Sequence, residues 1–116
     1  MTQTYPTIRA QAVPDLVRTV VLLVAPNKPE RLDGSEQLIN ELAFHSLVLA
    51  ELAFTLEDLF ELEALLAPEQ AMGLETVDDI VALVAGALED GTATLPDASG
   101  VEAVFARYGR QWQPAS

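Results

Sequence analysis

Apolar side chains recur at helical spacing in four stretches of this chain, and nowhere do they alternate as a half-buried strand requires. Val13, Leu16, Val17, Val20 and Val24 mark the first stretch, with Pro14 suited to an opening turn and Pro26 stopping the pattern. The valines would also fit a strand, so the spacing and the prolines decide for a helix. From residue 46 to about 62, Leu49, Leu52, Ala53, Leu56 and Phe60 fall on one face at about 100° per residue. Val77, Ile80, Val81, Val84 and Leu88 form the third stripe, which Gly91 closes. Thr76 precedes it, three residues before Asp79, at the separation of a capping box. The fourth stripe is Val101, Val104, Phe105, Tyr108 and Trp112, with Ser99 and Glu102 as a second box.

The intervening segments carry turn chemistry. Residues 1–12 lack periodicity and read as a loose arm. "PNKPERLDGSEQ" has the prolines and Asp-Gly of a long ordered loop, and "APEQAMG" reads as a short turn of helix between a proline and a glycine. "DGTATLPDA" is a linker. No Gly-rich phosphate loop, internal repeat or metal-ligand spacing is present. The expected fold is all-α: an arm at 1–12, a small bundle over 13–90, and a linker with an extra C-terminal amphipathic helix over 91–116.

Composition changes this picture in two ways. Half of the 116 residues are hydrophobic and none is cysteine, so the chain can bury a core but holds no thiol, disulfide or thiolate metal site. Six Lys+Arg stand against eighteen Asp+Glu, a net charge of −12, and every acid except Asp15 and Glu30 lies in residues 32–106, which hold no Lys or Arg. An anionic body of this kind is expected to bind neither nucleic acid nor anionic membranes. The longest apolar runs, residues 20–25 and 80–85, fall far short of a membrane span, and the first twelve residues lack a signal-peptide order. A soluble, cytoplasmic monomer is the expectation. The acids either keep the surface solvated or dock basic partners, and position must decide between these.

The second stripe has an unusual back. Projected around the helix, Glu51, Asp58 and Glu61 lie opposite the core face, together with Leu47, Ala50 and Phe54. An apolar ridge flanked by carboxylates has the make-up of a protein contact patch, unless another part of the chain covers it. The C-terminal helix is the obvious candidate cover.

The run "LINELAFHSLVLAELAFTLEDLFEL" followed by "LETVDDIVALV" resembles the acyl carrier proteins and related peptidyl carrier domains over about residues 13–90. In that family a D/H-S-L motif opens the second helix of a four-helix bundle with a short third helix. The resemblance implies that Ser46 carries 4'-phosphopantetheine, installed from coenzyme A by a phosphopantetheinyl transferase. It also implies that Glu51, Glu57 and Asp58 are recognition acids, and that Leu47, Ala50 and Phe54 are the apolar recognition positions. The partners implied are the transferase and acyl-loading and acyl-processing enzymes with basic docking patches. The function implied is that of a stand-alone carrier, not an enzyme, which shuttles thioester-bound acyl or aminoacyl intermediates. His45 stands where fatty-acid carriers usually have aspartate, and Val48 replaces a frequent acid. Within the resemblance, the histidine implies a specialised polyketide, nonribosomal peptide or fatty-acid-like pathway.

Three rival readings of these residues exist. Serine at a helix start is most often only a helix-start residue. A Ser/His hydrolase is disfavoured, because adjacent helical residues point about 100° apart and no G-x-S-x-G elbow accompanies the single histidine. His45 then reads as a helix-boundary or transferase-contact residue. An unmodified acidic helical interaction module stays open as the alternative function.

Overall fold

The computed structural model describes residues 7–30, 32–62 and 73–111. Four α-helices occur among them: α1 (Val13–Val24), α2 (Ser46–Phe60), α3 (Val77–Asp90) and α4 (Ala98–Arg107). No strand forms among the described residues, which hold two isolated bridges, Thr7 with Asp97 and Gln37 with Thr76. The short third helix expected over "APEQAMG" lies outside the described residues, apart from Gly73 in a turn.

The valine-rich stretch is helical because it is the centre of the molecule. Pro14 occupies the opening turn of α1 as expected, and α1 packs against both α2 and α3. Its buried set therefore extends beyond one stripe to Val21 and Leu23. Burial on two sides outweighs the weak helix propensity of valine. Lys28 closes the far end: its Nζ donates to the carbonyls of Leu22, Leu23 and Ala25 at 2.9, 2.6 and 2.7 Å, the carbonyls a helix leaves unpaired.

In α2, Leu52, Ala53, Leu56 and Phe60 are buried as the periodicity required, and Leu49 is half-buried. Thr55 and Leu59 are buried as well, on the flank that meets α4. The helix stops at Phe60 rather than near 62, because Glu61 turns left-handed (φ 51°) and Leu62 returns its N–H to the Glu57 carbonyl at 3.0 Å. The Thr76 capping box forms in full. Thr76 Oγ1 accepts the Asp79 N–H at 3.3 Å, and Asp79 Oδ2 accepts from Thr76 at 3.0 Å and from Glu75 at 2.8 Å. Gly91, at φ 79°, ends α3 as expected.

The second capping box does not form. Asp97 caps α4 instead, its Oδ1 accepting the Gly100 N–H at 2.8 Å, so Ser99 and Glu102 lie within the helix. Aspartate and serine cap about equally well, and a start at Asp97 buries Ala98. The helix ends at Arg107, with Gly109 left-handed (φ 70°), and Trp112 lies outside the described residues.

The connecting segments are tied to the helices. Ile8 donates to the Pro96 carbonyl at 2.8 Å and residues Ala10–Ala12 form a 3-10 turn, so residues 7–12 of the expected loose arm are held in place. Thr94 donates to the Phe60 carbonyl at 2.7 Å, which fastens the linker to the end of α2. The loop after α1 is laced to the start of α3 by Leu38 N–H to Glu75, Val77 N–H to Glu36 and Asp78 N–H to Gly34, at 2.9, 3.1 and 2.8 Å. Gly34 holds φ 109°, and a Cβ there would run into the Asp78 carboxylate, so only glycine fits. Arg18 of α1 also reaches Asp78, at 3.5 Å. No helix among the described residues is long and apolar enough to cross a membrane.

Candidate functional site

Ser46 is the first residue of α2 and is exposed. His45, in the N-cap position, has extended backbone (φ −124°, ψ 176°), and its carbonyl accepts the Leu49 N–H at 2.8 Å. No side chain caps this helix start and no acid stands in its first turn. The amides that a helix start leaves without intrahelical partners therefore face an environment favourable to an anion.

What aims Ser46 outward is the segment before it. Leu42 and Phe44 are both buried and Ala43 between them is exposed. Ala43 is left-handed (φ 62°). Phe44 N–H donates to the Leu38 carbonyl at 2.9 Å, and Asn27 holds the carbonyls of Leu42 and Glu41 through its backbone N–H and its Nδ2, at 3.1 and 2.6 Å. The chain thus enters α2 from an anchored point.

The ridge anticipated on α2 is open. Leu47 is 76% exposed and Phe54 65%, with Ala50, Glu51 and Asp58 exposed beside them. Glu57 is half-buried, and its backbone carbonyl receives the closing bonds of the helix. Ile39, between the buried Leu38 and the Leu42 turn, is 63% exposed and was not singled out from the sequence. The signal was available, since Leu38 and Leu42 are four residues apart and leave Ile39 off their shared face.

The C-terminal helix does not cover this ridge. It packs on the neighbouring flank through Val101, Val104 and Phe105, all buried, with Gly100 beside Leu59. Tyr108 and Arg107 then reach over to the acids. The Tyr108 hydroxyl donates to Glu51 Oε2 at 2.7 Å, and Arg107 pairs with Asp58 Oδ2 at 2.8 Å. Burial pushes the Tyr108 hydroxyl pKa up; a hydrogen bond with Thr55 opposes that shift and the Glu51 carboxylate adds to it. Burial and then the Arg110 charge lower the Lys28 pKa, while Glu51 raises it. Helical spacing gave no hint of the Tyr108–Glu51 and Arg107–Asp58 contacts, because they join residues 57 and 49 positions apart.

Elsewhere, an open, largely apolar groove of about 620 Å³ lies between the N-terminal turn and the end of α3, lined by Thr7, Ala10, Leu88 and Leu95 among others. It includes none of the residues singled out on α2. Among the described residues no group of three or more His, Asp or Glu is arranged to hold a metal ion. No family model, curated protein or solved structure matches the chain.

Proposed function

We propose that the chain is a phosphopantetheine-dependent carrier protein and that Ser46 is its attachment point. The observation that carries the reading is an exposed serine opening an uncapped helix with no acid in its first turn, next to an open apolar ridge edged by carboxylates. In the reaction with coenzyme A, the Ser46 hydroxyl oxygen attacks the β-phosphorus, the pyrophosphate bond breaks, and adenosine 3',5'-bisphosphate departs with the electron pair. The serine proton goes to a base of the transferase. Exposure of Ser46 makes the hydroxyl reachable by a second protein, and the helix start favours the phosphodiester that results. The group supplies a terminal thiol for carrying acyl or aminoacyl units, the sulfur that a cysteine-free chain lacks. Holding that unit on a tether keeps it at high effective concentration for successive enzymes.

Leu47, Ala50 and Phe54, with Glu51, Glu57 and Asp58, form the docking face for those enzymes in this reading. Buried apolar anchors fix register and rim charges speed encounter. The test is intact mass after incubation with coenzyme A, Mg²⁺ and a promiscuous transferase. A single phosphopantetheine adduct is expected on the wild type and none on Ser46→Ala. An adduct on Ser46→Ala, or none on the wild type with several transferases, overturns the carrier function and favours an unmodified acidic interaction module.

A further inference from the structure

We propose that α4 is an in-cis competitor for the acidic edge of α2, holding Asp58 with Arg107 and Glu51 with Tyr108 in the place where a partner's arginines and hydroxyls would bind. This rests on reading that edge as a docking face for basic partners. The geometry shows what chemistry the edge accepts: a guanidinium nitrogen at 2.8 Å from one carboxylate and a phenolic hydroxyl at 2.7 Å from the other. Both members of the ion pair are close to half exposed, Arg107 48% and Asp58 49%, so an incoming cation reaches the carboxylate without unfolding anything. An exposed pair of this kind is weak, so it attenuates docking and does not abolish it.

The arrangement separates two roles within one helix. Val101, Val104 and Phe105 bury against the bundle and keep α4 in place. Arg107 and Tyr108, at and just after its last turn, supply the polar contacts. The apolar ridge at Leu47 and Phe54 stays open throughout, so a partner seats its apolar contact first and then exchanges its own basic groups for Arg107 and Tyr108. A partner offering charge alone gains least, because the acids it seeks are already engaged.

Full-length wild type, Arg107→Gln, Tyr108→Phe and the double variant test this in two assays at low salt. The first is binding of a hexa-arginine peptide, followed by backbone amide shifts of residues 51–58. The second is the rate of Ser46 modification at limiting transferase. The double variant is expected to bind the peptide about two- to five-fold more tightly, the range an exposed pair allows, with the gain shrinking at high salt. Arg107→Lys, which keeps the charge, is expected to stay near wild type. Unchanged peptide affinity in a double variant of wild-type helical content overturns the competition, whatever the modification rates. Tighter peptide binding without any modification of Ser46 upholds the competition and removes the carrier function from this chain. Should the double variant lose helical content, Asp58→Asn and Arg107→Gln, singly and together, decide the question: additive effects on peptide binding overturn it, and coupled effects uphold it.

Discussion

Ala43 sets the direction of the chain three residues before Ser46, and it does so in a conformation that alanine disfavours. A left-handed L-residue costs roughly 1–2 kcal/mol, and here it stands between the buried Leu42 and Phe44 with its own side chain exposed. Ala43→Gly removes the strain but adds unfolded-state freedom, for a net gain of about 0.5 kcal/mol. Ala43→Val adds β-branched crowding and loses about 1–2 kcal/mol. The expected order of urea midpoints is glycine, alanine, valine, and a valine variant as stable as wild type would show that the left-handed turn is absent. Leu47 and Phe54 were legible in the sequence because helical periodicity assigns their face, and Ser46 because it stands where the second stripe begins. Ala43 was not, since nothing in an alanine announces a positive φ, and neither was Tyr108, whose bond to Glu51 exists only once α4 has docked.

At the scale of the elements, apolar spacing located the four helices of the described residues, and errors arose at their ends. Several residues compete for each cap. Ser99 with Glu102 matched a capping-box pattern, yet Asp97 caps the helix and that earlier start brings Ala98 into the core. Thr76 with Asp79 matched and held, because the loop residues Glu36 and Gly34 pin the same helix start through Val77 and Asp78. This box makes a pH prediction. The N–H groups of Glu75 and then Thr76 hold the Asp79 carboxyl below its ordinary pKa. The folded state therefore binds fewer protons than the unfolded state, so the contribution is complete above the unfolded value of about 4 and is lost as pH falls through the folded value. Thr76→Ala is expected to cost about 1 kcal/mol. Asp79→Asn should destabilise at pH 7 by an amount that shrinks below pH 4, as urea titrations of both proteins would register. A deficit independent of pH would mean that the carboxylate charge contributes nothing to the cap.

For the whole molecule, the net charge of −12 is spread over extents of 48 × 31 × 23 Å, and ionic strength decides how much of it acts together. At 10 mM salt the screening length is roughly 30 Å, comparable to the molecule, so even distant acids repel one another; at 150 mM it is about 8 Å and only near neighbours interact. The ion pairs that salt would weaken, Arg107–Asp58 and Arg18 with Asp15 and Asp78, are exposed or partly exposed and individually small. Repulsion is the larger sum, so added salt should raise the melting temperature between 10 and 150 mM. The same field attracts a cationic partner, so association of a basic protein with the α2 face should slow over the same range. Opposite salt slopes for stability and for association are thus expected from one charge distribution. A melting temperature that falls with salt would show that local attraction outweighs the excess of acids. Association insensitive to salt would leave Leu47 and Phe54 as the whole of the docking energy.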